Sequence, residues 1–368
     1  MKTRKQLLFP LWCAIVAANA AAAPRPEVVA SGLESPWGVT FISNGQFLVT
    51  ERPGRMRIVN AEGRAGAPLA GLPPIAAGGQ GGLLDVLADS AFASNRTVYF
   101  CYSEPESGGS RNSTALASAQ LSADGTRLDN LKVLFSQKPK VQSSAHFGCR
   151  IVEGRDGTLF MTLGDRLSRK DDAQKLDNHI GKVIRIAKDG SVPKDNPFVG
   201  RAGALPEIWS YGHRNGQGAA LGPDGRLWIH EHGPQGGDEI NIPQAGRNYG
   251  WPVITYGENY GGGRIGEGIT AKDGMEQPVH YWVPSIAPSG MAFLTSDKYG
   301  PAWKGNLFVG ALKFGYVDRI ELKDGKVVRE SKLLEGRDRI RDVKQGPDGL
   351  LYVLTDASDG KLIRLLPD

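Results

Sequence analysis

A short unit recurs six times along this chain, and no other feature of the sequence constrains its fold as strongly. In each copy a turn such as Asp-Gly or Asn-Gly joins an apolar segment to a following β-rich run. Such turns between apolar runs are strong signals for a β-hairpin. The turns begin at Asn44, Asn95, Asp156, Asp224, Lys304 and Asp348, and the preceding apolar segments are 37–41, 83–87, 147–152, 219–221, 291–294 and 340–343.

The spacing of these units indicates the architecture. Successive turns lie 44 to 80 residues apart, which suits a four-stranded blade with loops of variable length. With 49 Gly and 23 Pro among 368 residues, the chain has the many turn-forming residues that are typical of an all-β protein. The sequence therefore predicts a six-bladed β-propeller of four-stranded antiparallel blades, with one short helical turn in the region 170–179. A β-sandwich with fortuitous turns is the alternative, and six copies of one ordered unit argue against it.

The first residues are typical of a secretory signal peptide. A basic start at Lys2, Arg4 and Lys5 precedes an apolar run over 7–16 and small residues up to Ala23. The run is too short to span a bilayer, and the context of Cys13 does not favour lipid attachment. We expect residues 1–23 to be a signal peptide cleaved near Ala20–Ala23. Residues 24–368 would form a single propeller domain in the periplasm or outside the cell, without a membrane anchor.

Net charge and cysteine content bear on the possible partners and on disulfide formation. Loss of the signal peptide takes the formal net charge from +5 to +2, which is too weak a basic bias to indicate a nucleic-acid partner. Only Cys101 and Cys149 then remain. Export permits a disulfide between them, but two free buried thiols are equally compatible with the sequence.

In a propeller, the residues just before each innermost strand meet at one rim, so these six entrances predict the site. They bring together a histidine, arginines, amides and hydroxyls, with few carboxylates. Guanidinium forks and amide donors suit a multiply anionic ligand rather than a metal cage of Asp and Glu. The convergent side chains are Gln80, His146, Arg214, Asn215, Gln217, Arg339 and Arg341.

One acid–base pair is expected at this rim. The second strand of the third blade ends with Leu-Gly-Asp at 163–165, which places Asp165 near His146. A carboxylate beside histidine fixes its tautomer and raises its basicity, as general-base chemistry requires. The charged segment that follows, 166–182, is interpreted as a solvated loop.

A glycine-rich run over 231–241 suggests a metal. Its Gly233-Pro234 turn exposes backbone carbonyls, and Asp238 and Glu239 add carboxylate oxygens, which are the ligands that Ca²⁺ prefers. The alternative is a glycine-rich loop with surface acids. The aromatic residues of the segment 248–252 could wall a pocket or stack on a sugar.

These motifs resemble those of the soluble PQQ-dependent sugar dehydrogenases, in particular the periplasmic aldose sugar dehydrogenases. The resemblance runs from about Leu33 to the C-terminus, in family order, and its most specific part is the run 231–241. A six-bladed propeller is also the fold that the family implies. The motifs that carry the resemblance are 79–85, 146–148, 163–165, 210–217, 231–241, 248–252, 287–290 and 339–341.

The resemblance implies a role for each matching residue. His146 would be the general base that takes the proton of the sugar C1 hydroxyl, and Asp165 would orient it. Gly233 and Pro234 would bind a Ca²⁺ that sits on PQQ, and Glu239 and Tyr249 would belong to a second, structural calcium site. The residues expected to hold PQQ are Gln80, Arg214, Asn215, Gln217, Tyr260, Lys313, Arg339 and Arg341.

Some features depart from the family pattern or stay open. Arg166-Leu167-Ser168 stands where glucose dehydrogenases carry an amide and polar residues, and the loops between blades are shorter. These differences concern substrate preference and oligomer contacts. The expected partners are an aldose sugar and an external electron acceptor of unknown identity, and the chain could be a monomer or a homodimer.

Two other functions are compatible with a propeller fold. A calcium-dependent propeller lactonase or hydrolase needs several Asp, Glu or Asn ligands around one ion, whereas this rim is basic and rich in amides. A non-catalytic binding propeller would leave the His–Asp pair without a purpose.

Overall fold

The computed structural model describes residues 23–43 and 45–368. Except for its last residue, the expected signal peptide lies outside these residues. None of the helices within them has the length and apolar character that crossing a bilayer requires.

Within these described ranges, twenty-three strands form six antiparallel sheets, which confirms the predicted all-β propeller. In chain order they are β1 (Arg25–Leu33), β2 (Pro36–Ser43), β3 (Gln46–Glu51), β4 (Arg55–Val59), β5 (Leu83–Ala88), β6 (Thr97–Pro105), β7 (Asn112–Leu121), β8 (Leu128–Ser136), β9 (Ile151–Glu153), β10 (Leu159–Thr162), β11 (Lys182–Ile186), β12 (Ile208–Tyr211), β13 (Gly216–Leu221), β14 (Leu227–Glu231), β15 (Asp238–Asn241), β16 (His280–Trp282), β17 (Pro288–Phe293), β18 (Leu307–Ala311), β19 (Tyr316–Lys323), β20 (Lys326–Leu333), β21 (Ile340–Gln345), β22 (Leu351–Thr355) and β23 (Gly360–Leu366). A one-turn α-helix, α1, spans Phe92–Asn95, and a 3₁₀ helix spans Lys170–Gln174 within the region expected to hold a helical turn.

The innermost strands β2, β5, β9, β13, β17 and β21 contact one another in a ring. Each begins a blade, and the next strand returns antiparallel through the turn that the sequence signalled. Blade 1 has three regular strands, β2 to β4, and an isolated bridge between Val59 and Ala65 continues its sheet. At the hairpin turns, Gly157 and Gly225 have φ values of 76° and 82°, which glycine adopts without steric cost.

The last blade contains the first strand. Strand β1 pairs antiparallel with β23, from Arg25 opposite Leu366 to Leu33 opposite Gly360. The ring is therefore closed by hydrogen bonds between the two ends of the chain. Closure removes the free sheet edges that an open array of blades would expose.

Blade packing explains why several strands are almost continuously apolar. All five residues of β22 are buried, because this strand lies inside its sheet and both of its faces meet neighbouring blades. Strands buried on both faces lose the alternation of apolar and polar residues that marks a half-exposed sheet.

A buried ionic cluster joins the inner strands at the centre of the ring. The guanidinium of Arg150 contacts Asp85 Oδ1 at 3.0 Å and Asp342 Oδ1 at 2.9 Å, and all three side chains are buried. It also donates to the carbonyls of Gln217 at 2.7 Å and Arg341 at 3.0 Å. Its Cζ lies 4.2 Å from the ring centroid of Trp37. One side chain thus ties blade 3 to the inner strands of blades 1, 2, 4 and 6.

The interpretation of 166–182 as a solvated loop holds for part of the segment and was wrong for its two ends. Residues 167–169, Asp171, Lys175 and Asp177 are exposed, whereas Arg166 and Lys182 are fully buried, because their side chains find internal acceptors. Lys182 Nζ donates to the carbonyls of Asp172 and Ala173, each at 3.0 Å, within the 3₁₀ helix. The basic residues at the two ends of the segment therefore serve internal hydrogen bonding.

The structure contains a disulfide between Cys101 and Cys149, a point that the sequence left open. Cys101 lies in β6 of blade 2, and Cys149 lies just before β9 of blade 3. The bond therefore links two adjacent blades, three residues after His146.

We expect Cys101→Ala to lower the free energy of unfolding by about 2–4 kcal/mol, because it releases a loop of 48 residues in the unfolded chain. Guanidinium unfolding measures this loss. The wild-type protein unfolded in the presence of a thiol reductant should show a similar loss. Equal stability of the variant and the oxidised wild type would contradict the expectation.

Candidate active site

A cavity of about 1060 Å³ opens at the rim where the inner strands begin. It collects nine of the predicted site residues, and the other five are not part of its lining. The nine in the lining are Gln80, Asn215, Gln217, Gly233, Pro234, Tyr260, Lys313, Arg339 and Arg341. The five outside it are His146, Asp165, Arg214, Glu239 and Tyr249.

Antiparallel pairing explains why these residues meet. The start of each inner strand lies beside the end of the next strand, so both positions face the same rim. Arg52 follows β3, His232 follows β14, and Asp356 follows β22, and all three line the cavity. Lys313 follows β18 in the same way.

His146 and Asp165 form the expected pair. His146 Nδ1 lies 2.6 Å from Asp165 Oδ1, and both side chains are buried. With its Nδ1–H donated to the carboxylate, the neutral imidazole keeps a lone pair on Nε2. The pair is therefore arranged to accept a proton at Nε2.

Electrostatics keep this histidine uncharged. Burial lowers the pKa of His146 below 6.5, the hydrogen bond to Asp165 opposes this shift, and the positive charge of Arg214 adds to it. Burial alone would raise the pKa of Asp165, but the bond from His146 and neighbouring charges bring it below its ordinary value. At neutral pH the pair thus consists of a neutral imidazole and a carboxylate.

Neighbouring groups fix the pair in place. Trp251 Nε1 donates to Asp165 Oδ2 at 2.8 Å, and the backbone N–H of Leu167 donates to Oδ1 at 2.8 Å. The backbone N–H of His146 donates to Gln80 Oε1 at 2.8 Å. His146 itself has a φ of 49°, a left-handed conformation that is costly for a side chain with a Cβ. Such strain is typical of functional positions.

The amide side chains of the cavity are oriented as donors. The side-chain oxygen of Gln80 accepts a hydrogen bond from the backbone N–H of His146. The side-chain oxygen of Asn215 accepts one from the backbone N–H of Gly148 at 3.2 Å. Because a backbone N–H can only donate, each amide oxygen must face it. The NH₂ groups of both side chains have no partner in the described chain and are left for a ligand.

Two arginines share one carboxylate at the cavity wall. Asp356 Oδ2 accepts from Arg339 Nη2 at 3.0 Å and from Arg341 Nη2 at 3.1 Å. Lys313 and Arg52 line the same cavity. Four cations therefore face the space, and Asp356 holds two of them side by side.

Arg214 lies below this surface. Its Nη1 donates to the carbonyls of His232 at 2.9 Å and Gly233 at 2.7 Å, and its guanidinium lies 5.3 Å from the ring centroid of Trp251. It therefore connects the Gly233-Pro234 turn with the side chain that holds Asp165.

The donor set at Gly233-Pro234 tests the fit of calcium. Both residues line the cavity, but the carboxylate of Asp238 is committed elsewhere: it accepts from the N–H groups of Gly233 at 2.8 Å, Ile286 at 2.8 Å and Ala287 at 2.9 Å. The interpretation of Asp238 as a source of metal oxygens was therefore wrong. The turn offers neutral carbonyls, of which that of Gly233 already accepts from Arg214 Nη1, so they suit a Ca²⁺ only if a bound anion completes its coordination.

The proposed second metal position adjoins a separate cavity of about 10 Å³, bounded in part by Glu231, Glu239 and Tyr249. Burial, followed by the charge of Glu231, raises the pKa of Glu239 to about 8. Asn241 Oδ1 is buried and has no partner in the described chain. An unpaired acceptor beside a buried acid fits a cation. The Tyr249 hydroxyl does not, because it donates to the Ile242 carbonyl at 2.6 Å and its oxygen accepts from the N–H of Gln244 at 2.9 Å.

The described residues contain no group of three or more His, Cys, Asp or Glu side chains suited to hold a metal.

Arg166, the first residue of the departure from the family pattern, is not in the cavity lining. Its guanidinium lies 3.8 Å from the ring centroid of Phe147 and donates to the carbonyls of Ser143 at 2.7 Å and Ala145 at 3.0 Å. It therefore holds the segment that carries His146.

Comparison with known proteins agrees with this arrangement. The family model described as glucose/sorbosone dehydrogenase matches residues 33–364. The chain belongs to the glucose/sorbosone dehydrogenase family. It is 45% identical to the aldose sugar dehydrogenase YliI of Escherichia coli (strain K12), with all of both chains covered.

Solved structures related to this sugar dehydrogenase family superpose closely. A crystal structure of a glucose dehydrogenase has a TM-score of 0.89 and 47% identity, covering 93% of this chain and 99% of the other. The PQQ-bound form of an aldose sugar dehydrogenase from Streptomyces coelicolor has a TM-score of 0.75 and 28% identity, covering 94% and 99%.

Sequence reasoning assigned no role to four residues of this dehydrogenase site, Arg52, His232, Trp251 and Asp356, although Trp251 lies in the aromatic segment 248–252 that was expected to wall a pocket. Three of them follow a second strand, as Asp165 does after β10. The position that points to Asp165, just after a second strand, therefore also points to Arg52, His232 and Asp356 in their own blades. Trp251 comes from a loop between blades, and no strand pattern indicates its contact with Asp165.

We expect Asp165→Asn to lower the pKa of His146 further, because the carboxylate raises it through a hydrogen bond and its charge. An NMR titration of the imidazole signals measures the change, and the spectrum of His146→Ala assigns the resonance. Asp356→Asn, which alters a carboxylate that is not among the groups shifting the pKa of His146, is the matched control. An unchanged or raised pKa in Asp165→Asn would contradict the geometry.

Proposed function

We propose that the protein oxidises aldose sugars at C1 to the lactone in a PQQ- and Ca²⁺-dependent reaction, and passes the electrons to an external acceptor. The observation that carries the proposal is the neutral His146, paired with Asp165, beside a cavity of cations and amide donors. The comparisons support it, since one structural relative is a PQQ-bound aldose sugar dehydrogenase.

The cavity suits a polycarboxylate. PQQ carries three carboxylates, and guanidinium groups bind such groups in forked pairs. We assign Arg339, Arg341, Lys313 and the NH₂ groups of Gln80 and Asn215 to its recognition. Gln217 contributes by holding the Arg341 side chain in place, because its side-chain oxygen accepts a hydrogen bond from Arg341 Nη1 at 3.4 Å. Tyr260, which is 68% exposed at the cavity mouth, would contact the cofactor from the solvent side.

Calcium would complete this site. The carbonyls of Gly233 and Pro234 would bind the ion together with anionic oxygens of the cofactor. When bound, the cofactor would supply a hydride acceptor for C1 of the sugar, and the ion would supply a Lewis acid for the cofactor carbonyl. Glu239 would hold a second, structural ion, which Tyr249 could reach only through its backbone.

The chain itself supplies the proton chemistry. His146 Nε2 accepts the proton of the C1 hydroxyl, so that the C1–O bond can become a carbonyl as the hydride leaves. Asp165 stabilises the imidazolium that forms, and Trp251 keeps the carboxylate in place. The buried setting of the pair strengthens these interactions, because little water screens them.

The hydrolase alternative has less support. It needs several carboxylate ligands around one ion, whereas Asp356 and Glu258 are the acids in the cavity lining, and Asp356 is paired with two arginines. We also propose that the protein acts in the periplasm after removal of residues 1–23. The Cys101–Cys149 disulfide supports an oxidising compartment.

We expect His146→Ala to reduce kcat by about 10²–10⁴-fold, the usual contribution of a general base. Purified protein is loaded with PQQ and Ca²⁺, and dye reduction is followed with a panel of aldoses. Absorption of bound PQQ should be unchanged in the variant. If the wild-type protein reduces no dye with any aldose, the proposed function is wrong, and full activity in the variant would remove His146 from its role.

The acid limb of the pH profile should lie below pH 6.5. His146 must be uncharged to accept a proton, and its pKa is lowered, so the active form persists as the pH falls until that lower value is passed. The measurement is kcat/KM for one aldose from pH 4 to 8. A limb centred above pH 6.5 would argue against His146 as the titrating base.

A further inference from the structure

The fully buried side chain of Arg166 holds the residues that precede His146. Its Nε donates to the carbonyl of Ala145 at 3.0 Å, and its Nη2 donates to the carbonyl of Ser143 at 2.7 Å. Nη2 also donates to Asn112 Oδ1 at 2.6 Å, in blade 2. The guanidinium thus fixes two backbone carbonyls within the three residues before His146 and ties them to the neighbouring blade.

The flat face of the same guanidinium holds the residue that follows His146. Its Cζ lies 3.8 Å from the ring centroid of Phe147, which is a close cation–π contact. The surrounding residues 142–150 belong to no strand, so side chains take the place of a backbone ladder here. His146, whose φ of 49° is costly, therefore stands between two points that Arg166 fixes.

The backbone of Arg166 supports the other member of the acid–base pair. Arg166 and Leu167 have φ values of 57° and 64°, and this left-handed turn brings the N–H of Leu167 to 2.8 Å from Asp165 Oδ1. Ser143 Oγ donates to the carbonyl of Arg166 at 3.0 Å. One residue thus joins the segment that carries the base to the turn that holds its carboxylate.

The guanidinium keeps its charge although its hydrogen-bond partners are carbonyl and amide oxygens. Burial lowers the pKa of Arg166 to about 10, so the side chain is still a cation at neutral pH. A buried cation is costly unless its donors are satisfied, and a neutral side chain could fill the same space. Arg166 satisfies its donors largely on the segment that carries His146, so its distinctive contribution is the geometry of that segment.

We propose that Arg166 is a positioning residue for the sugar oxidation and fixes the direction of His146 Nε2 relative to the cavity. The inference rests on the proposed function, because this direction matters only if Nε2 takes a proton from the sugar. It also gives the departure from the family pattern at 166 a new meaning. Arg166 is not in the cavity lining, so the substitution acts on the base rather than on sugar contacts.

Two substitutions separate the geometry of Arg166 from its charge. Arg166→Gln removes both the charge and the forked donors. Arg166→Lys keeps a positive charge but lacks the planar fork that reaches two carbonyls and stacks on Phe147. Asn112→Ala is a milder variant, which removes one acceptor of the guanidinium and leaves Arg166 in place. Thermal unfolding of each full-length variant checks that the fold is retained.

Arg185→Gln is the matched control. Arg185 is also a buried arginine of blade 3, and its guanidinium lies 5.2 Å from the ring centroid of Trp209. It pairs with Asp156 at 2.6 Å and with Asp195 at 2.9 Å, and none of these partners belongs to the site. A loss that comes only from removing a buried guanidinium would appear in this variant too.

The first measurement is turnover of one aldose by protein loaded with PQQ and Ca²⁺. We expect kcat to fall about 10–100-fold in Arg166→Gln and in Arg166→Lys, the cost of a misdirected reacting group, and to fall less in Asn112→Ala. KM for the aldose and Kd for PQQ should stay at the wild-type values, and Arg185→Gln should keep the wild-type kcat.

The pH profile gives a second, independent readout. The positive charge of Arg166 helps to lower the pKa of His146, so its loss in Arg166→Gln should move the acid limb of kcat/KM upward, towards pH 6.5. Arg166→Lys retains a charge and should keep the limb where it is in the wild type. The two variants would then share the loss of kcat and differ in the limb.

A third readout needs neither cofactor nor sugar. The Nδ1 proton of His146, held by Asp165 at 2.6 Å between the two heavy atoms, is followed by low-field proton NMR, and its absence in His146→Ala assigns it. We expect this signal to shift or broaden in both Arg166 variants and to be unchanged in Arg185→Gln.

The outcomes distinguish positioning from other roles. Wild-type kcat in Arg166→Lys would overturn the proposal, because charge alone would then suffice. A changed KM with unchanged kcat would also overturn it, since Arg166 would then act on sugar selection. If neither Arg166 variant folds, unchanged kcat and Nδ1 signal in Asn112→Ala would count against it. Failure of the wild type to oxidise any aldose would instead reject the proposed function, while the NMR comparison would still show whether Arg166 fixes the pair.

Discussion

The contact of Arg150 with Asp85 and Asp342 is the interaction on which the site most depends. Three buried charges at the centre of a propeller are costly to desolvate, and removing one partner would leave the others unpaired. In return the guanidinium fixes the carbonyls of Gln217 and Arg341, which are both cavity residues. The floor of the cavity is thus held by the same group that sets the distance between the inner strands.

The cavity owes its chemical character to backbone groups as much as to side chains. Gln80 and Asn215 could present either end of their amides, and the N–H groups of His146 and Gly148 decide which end is free. In the same way, the carbonyl of Pro288 decides the tautomer of His232. Fixed backbone dipoles next to a cavity orient its side chains before a ligand arrives, which reduces the reorganisation needed on binding.

The sequence predicted the architecture well because its strongest signals are local. Asp-Gly turns and short apolar strands determine hairpins, and their repetition determines a ring. It predicted the entrance residues for the same reason, and His146 and Asp165 indeed lie 2.6 Å apart. It failed where a contact depends on loops from separate blades, as between Trp251 and Asp165. The prediction of exposure also failed for Arg166 and Lys182, because a charged residue is expected to be exposed until its internal acceptors are known. The pairing of Cys101 with Cys149 depended on the spacing of two blades, which no local pattern determines.

The pairing of β1 with β23 makes the ring a test of chain integrity. Residues 25–33 are made first and must wait without their partner until residues 360–366 are available. A chain that is interrupted anywhere in between leaves both strands with unpaired edges, which favour aggregation or proteolysis. Every blade contributes to the cavity wall, so a broken chain also lacks a complete cavity. An assembled pocket thus reports that the whole sequence from the first strand to the last has been made and joined.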